Sequence, residues 1–136
     1  MIEINVTYEG DLHCVASHGP SGIDVATDAP VDNQGRGESF SPTDLVATAL
    51  GTCMVTIMGI VARRKELAIE GTRVRVGKEM SQDLPRRIAR LEVRIEVPLP
   101  TDHPDKDLLI NAAMTCPVHQ SLHPDIEVPI EWVWAC

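Results

Sequence analysis

Four cysteines are the residues of this 136-residue chain best suited to chemistry: Cys14, Cys53, Cys116 and Cys136. Cys53 lies near the centre of LVATALGTCMVTIMGIVA (45–62), eighteen residues without a charge, bounded by Asp44 and by Arg63-Arg64-Lys65. Cys116 lies in AAMTCPVH (112–119), directly before a proline. A cysteine reacts as its thiolate, and unsatisfied N–H groups at a helix start favour that form. If Pro117 opens a short helix, Cys116 is its cap and faces such donors. The alternatives are a capping Cys116 of no chemical consequence and a buried Cys53 that acts as a small hydrophobe. Cys14, on what reads as an edge strand, and the terminal Cys136 receive no role.

A rival chemistry starts from the same segment. Cys116, His119 and His123 have C-x2-H-x3-H spacing and could offer three zinc ligands, although a fourth must come from elsewhere. Satisfied or solvent-exposed histidines are the alternative. There is no G-x-S-x-G elbow, no H-E-x-x-H and no glycine-rich phosphate or dinucleotide loop, so no cofactor is expected. Asp102, Asp105 and Asp107 read as a cluster at the start of a solvated helix.

Alternation of polar and apolar residues predicts strands at Met1–Tyr8, Leu12–Ser17, Ile23–Thr27, Thr72–Glu79, Ile88–Val97 and Ile126–Trp134. In Ile88–Val97 the charged face should meet solvent and the apolar face the core, with Pro98 and Pro100 ending the strand. DAPVDNQGRGESFS (28–41) is a polar, glycine-rich loop. Ser41 followed by Pro42 signals a helix start, and the first helix is expected from Pro42 to about Glu66, with Gly71 beyond its end. A second helix is expected over Pro104–Met114. Strands, long helix, strands, helix, strand make an α+β domain with antiparallel sheets, and the length fits one domain over residues 1–136.

The uncharged run is at the short limit for a bilayer span. Its three threonines, Thr48, Thr52 and Thr56, and its soluble-looking neighbours favour a helix enclosed by protein. A lone domain of this size cannot easily cover a helix on every side, so a homodimer is expected. The net charge of −8 argues against nucleic acid. The N-terminus lacks the basic and apolar regions of a secretory signal, so a reducing cytoplasmic location is expected, with no membrane.

SPTDLVATALGTC (41–53) and AAMTCPVHQSLHPDIEV (112–128), in that order, resemble the family of osmotically inducible protein C and organic hydroperoxide resistance proteins (OsmC/Ohr). The likeness covers nearly the whole chain. It implies an OsmC-like fold, an intertwined homodimer with antiparallel sheets packed around long central helices. It also implies a thiol peroxidase in which Cys53 attacks a small organic hydroperoxide, Cys116 resolves the sulfenic acid, and a dithiol such as a lipoylated protein reduces the disulfide. Two features depart from the family. A glutamate expected after the helix-opening proline is replaced by Thr43, and His18-Gly-Pro-Ser-Gly22 lacks the expected arginine. Arg36, held by Glu38 or Asp44, or else His18 or His119, are the candidate substitutes for activating Cys53. The alternative is a catalytically weak or inactive relative that binds a small hydrophobic ligand at the dimer interface.

Overall fold

Alternating residues near the N-terminus pair as expected. In the computed structural model, which describes residues 1–136, β1 (Ile4–Gly10), β2 (His13–His18) and β3 (Asp24–Asp28) form an antiparallel sheet in that order. They belong to the first of two compact units, Met1–Val46; the second is Ala47–Cys136. The tight β1–β2 turn puts Gly10 at φ +87° and carries Asp11 and Leu12 into the same left-handed region. Cys14 pairs with Tyr8 on one side and Thr27 on the other. It therefore sits on the middle strand rather than on the edge predicted for it.

Period-two geometry gathers Ile4, Val6 and Tyr8 of β1 with Ala16 and Val25 on one face of this sheet. Ile4, Val6 and Tyr8 are 54%, 64% and 63% exposed, so within one chain that apolar face is uncovered. The loop after β3 contains a 3₁₀ turn, Val31–Asn33, that polar composition alone did not reveal. Gly35 is required there, since a Cβ would fall 1.8 Å from the Ala29 carbonyl oxygen.

The first helix, α1 (Pro42–Arg64), starts where Ser41-Pro42 places it. The Ser41 hydroxyl accepts the Asp44 N–H at 3.1 Å, and the Asp44 carboxylate accepts the Ser41 N–H at 2.9 Å. This reciprocal arrangement satisfies two otherwise orphaned donors. At the other end Glu66 takes φ +55°, while Glu66 N–H bonds Arg63 O and Leu67 N–H bonds Ala62 O. The helix is thus closed by a left-handed Glu66, not by Gly71, which bends the chain further on.

The second unit holds the body of α1 with β4 (Arg73–Met80), β5 (Ile88–Pro100), α2 (Lys106–Met114), α3 (Pro117–Ser121) and β6 (Ile130–Ala135). Its sheet order is β4-β5-β6, with β4 antiparallel and β6 parallel to β5. The parallel last strand departs from an all-antiparallel expectation because the chain crosses back through α2 and α3 before pairing. β5 also continues to Pro100 instead of ending at Pro98. The register shift between Val97 and Pro100 is the kind of irregularity at which a strand tolerates proline.

Leu91, Val93 and Ile95 are fully buried, as are Leu50, Met54 and Met58 of α1 and Leu109 and Ala113 of α2. A Cβ on Gly51 would lie 3.0 Å from Val76 Cγ2 and 3.2 Å from Val74 Cγ1, so the glycine lets helix and sheet approach closely. The opposite sheet face carries the predicted charges, paired as Arg73–Glu96, Arg94–Glu96, Arg94–Glu131 and Arg90–Glu127. By length and composition α1 could cross a membrane. Here it packs one stripe, Ala47, Leu50, Gly51, Met54, Met58 and Ala62, and leaves Thr48, Thr52, Thr56 and Ile60 exposed. The enclosure on all sides expected of it is not achieved within one chain.

Candidate functional site

The two cysteines singled out by sequence meet in the second unit. Cys53, in the middle of α1, and Cys116, at the cap of α3, are near enough for their thiols to influence each other electrostatically. They differ in access: Cys116 has no solvent exposure, whereas Cys53 is half-buried. α3 forms as its sequence predicts, with Cys116 as cap and Pro117 at the first helical position. The Cys116 sulfur accepts the His119 N–H at 3.4 Å.

The electrostatic outcome reverses the expectation from that cap. Burial is the largest influence on Cys116 and pushes its pKa up, and the hydrogen bond to Cys53 acts in the same direction. The N–H groups of His119 and Val118 pull it down and are outweighed. Removing a sulfur wholly from water penalises its anion more than one long N–H···S contact repays. Cys116 is held as the neutral thiol, the form able to donate to the Cys53 sulfur.

His119 belongs to the same turn. Its Nδ1 is shielded from solvent and has no hydrogen-bond partner. His123 lies apart from such use: it is exposed, and its Nδ1 accepts the Asp125 N–H at 3.1 Å. No three His, Cys, Asp or Glu side chains come together to hold a metal ion, so the C-x2-H-x3-H spacing does not build a zinc centre.

The other nominated residues are placed in the first unit. Arg36 pairs neither with Glu38 nor with Asp44 but with Asp28, Nη2 to Oδ1 at 3.6 Å. Glu38 contributes its backbone N–H to the same Asp28 carboxylate. Asp44 is engaged in the α1 cap. His18, in the β2–β3 turn, bonds its Nδ1 to the Ser21 hydroxyl.

Asp28 and His13 escaped notice in the sequence. Asp28 is 2% exposed, and its Oδ1 lies 2.6 Å from His13 Nδ1. The His13 hydrogen bond, with Arg36 beside it, holds the Asp28 carboxyl below its ordinary value despite the opposing effect of burial. The signal for this pair is cross-strand register, His13 opposite Asp28, which composition does not reveal. The cluster anchors the loop that begins at Ala29.

An open groove of ≈ 580 Å³ lies along the C-terminal half of α1, lined by Val55, Gly59, Ile60, Leu67 and Ile69 among others. Neither cysteine lines it.

Comparison with known proteins gives a consistent picture. The family model for OsmC-like protein matches residues 35–131. No functionally curated protein matches the chain. A solved structure from Psychrobacter arcticus 273-4, named for osmotic stress induction and a detoxification response, is 47% identical. The match covers 97% of this chain and 96% of that one, with a TM-score of 0.90. The organic hydroperoxide resistance protein OsmC of Legionella pneumophila is 11% identical over 98% of this chain and 96% of its own, TM-score 0.79. An organic hydroperoxide resistance protein from Elizabethkingia anophelis, with thiocyanate bound, is 17% identical over 99% and 96%, TM-score 0.79. The last two likenesses are of fold.

Proposed function

The chain belongs to the OsmC-like protein family, and from that premise we propose that it is a thiol-dependent peroxidase acting on small organic hydroperoxides. The observation that carries this reading is the neighbouring pair of interacting thiols with unequal access to solvent. Cys53, the sulfur that a solute can approach, is the peroxidatic group. Its thiolate attacks the terminal oxygen of the hydroperoxide, the O–O bond breaks, and the alkoxide takes a proton to leave as the alcohol. Cys53 is left as sulfenic acid. The neighbouring Cys116 displaces the hydroxyl and forms a disulfide with release of water. An external dithiol, such as a lipoylated protein, then returns both thiols and completes an antioxidant cycle.

The working unit in this proposal is a homodimer. It is supported by the uncovered apolar face of Ile4, Val6 and Tyr8 on β1, and by the exposed, uncharged stripe of Thr48, Thr52, Thr56 and Ile60 on α1. A three-stranded sheet with its apolar face in water is not expected to be stable alone. The activity is tested by following consumption of cumene or tert-butyl hydroperoxide with a dithiol reductant. Cys53→Ser should abolish turnover, and a variant as fast as wild type would remove the assignment.

A further inference from the structure

We propose that His13 is a pH-operated latch on the loop between β3 and α1: its imidazolium fastens residues 29–40 to the first sheet, and loss of the ring proton lets that loop open. The inference stands apart from the thiol chemistry and concerns the first unit alone.

The loop closes on itself. The Asp28 N–H donates to Phe40 O at 3.1 Å, so the chain leaves and returns at one point. The N–H groups of Gly35 and Gly37 donate to Pro30 O at 2.9 Å and Ala29 O at 3.2 Å, which lays the returning limb against the outgoing one. Two side chains tie the returning limb to the sheet. The Ser39 hydroxyl donates to Ala26 O at 2.9 Å, a neutral bond indifferent to pH. The other tie is the buried carboxylate of Asp28. Its Oδ1 lies 3.6 Å from Arg36 Nη2 and 2.6 Å from His13 Nδ1, and the Glu38 backbone acts on the same carboxylate.

His13 completes a row of alternating charge. Its Nδ1 faces Asp28, and its Nε2 faces Glu9 Oε1 at 3.5 Å. A neutral imidazole has one N–H and one bare lone pair, so it would turn that lone pair toward one of the two carboxylates. Only the imidazolium presents a donor to both. The charged groups against the ring are thus Glu9 from β1, Asp28 from β3 and, through Asp28, Arg36 from the loop. Further along the same sheet face Asp24 is engaged by the Ser17 hydroxyl at 2.5 Å.

A buried carboxylate is costly unless its charge is matched. With the ring proton gone, Asp28 keeps Arg36 as its cation, at 3.6 Å and from a side chain 47% exposed. That separation is longer than the ~2.7–2.9 Å of a charge-assisted hydrogen bond. Histidine is the side-chain type whose charge changes between about pH 5 and 8. The His13 side chain is 23% exposed, so solvent can exchange its proton. The sign follows: the imidazolium holds the latch at low pH, and raising the pH releases it. Asp28 sets the acid limit, because its carboxyl, held below the ordinary value by His13 and Arg36, must stay ionised.

Amide hydrogen exchange on the full chain, corrected for the intrinsic rate at each pH, reads the loop directly. From about pH 5.5 to about pH 8.5, protection of the Gly35 and Gly37 N–H groups should fall about tenfold or more, the scale of one hydrogen bond between charged groups. The N–H groups of Leu91 and Val93, bonded to Glu127 O and Pro129 O, should keep their protection, which shows the loop opening alone. The His13 ring, followed by nitrogen NMR, should titrate with the same midpoint as the loss of protection. His13→Asn, which offers Asp28 a neutral donor, should show the open-loop protection at both pH values. Glu9→Gln removes one carboxylate from the imidazolium and should move both midpoints to lower pH. Loop protection independent of pH in wild type overturns the proposal, and so does an unchanged pH dependence in His13→Asn. Midpoints unmoved in Glu9→Gln would overturn the charge row on which the latch rests.

Discussion

Oxidation of the Cys53–Cys116 pair should stabilise the protein by an amount that can be worked from the chain. The disulfide would close a loop of about 60 residues, which in the chain-entropy treatment corresponds to roughly 4 kcal/mol of lost freedom in the unfolded state. The folded state should have little to give back, since the two thiols are already neighbours that interact in the reduced protein. For a chain of this size that is an increase in melting temperature of roughly 10–15 °C. The assay is differential scanning calorimetry of protein treated with one equivalent of hydroperoxide, before and after dithiothreitol, at one fixed protomer concentration because the proposed dimer would melt in a concentration-dependent way. Cys53→Ser and Cys116→Ser should each show no oxidative rise. An unchanged melting temperature in oxidised wild type would refute the reasoning, and so would a rise of equal size in Cys116→Ser. The first result would mean that the sulfurs do not bridge, and the second that the rise has another source.

Two further outcomes follow from the first unit. Asp28 has its pKa depressed by His13 and Arg36, so its contribution to stability is present above the ordinary carboxylate value near ~3.9 and is lost as pH falls through the lower folded value. Asp28→Asn should flatten that part of the stability–pH curve in chemical denaturation and lower stability at neutral pH; an acid limb identical to wild type would contradict it. Val6→Lys places a charge in the middle of the exposed β1 face. Light scattering should find the wild type as a dimer and the variant shifted toward monomer at micromolar concentration, and two dimers of equal stability would count against that face as the interface.

The elements were legible where one periodicity governed a whole segment. β5 announces itself because its charged residues face solvent and Leu91, Val93 and Ile95 face the core, and α1 because Ser41-Pro42 and Arg63-Arg64 bracket an uncharged run. What was not legible depended on partners distant in sequence. Nothing in Ile130–Ala135 tells that it lies parallel to β5, since pairing direction is set by the crossover that delivers it. Nothing in His13 or Asp28 tells that register brings them together. Arg36, expected to be held by Glu38 or Asp44, is held instead by Asp28, which no local spacing marks.

Cys116 shows how a locally correct inference can carry the wrong sign. Its cap geometry is as the Cys-Pro dipeptide predicts, and the N–H groups do act on the sulfur in the expected direction. Burial, a property of the folded neighbourhood that sequence does not specify, outweighs them. The reversal has a use within the proposed cycle. A resolving sulfur that stayed ionised would compete with Cys53 for hydroperoxide and could be oxidised beyond rescue. Kept neutral, inaccessible to solvent and close to its target, Cys116 is disposed in the proposed cycle to react with Cys53 before any solute. The same burial that weakens Cys116 as a general nucleophile thereby imposes the order of the two steps.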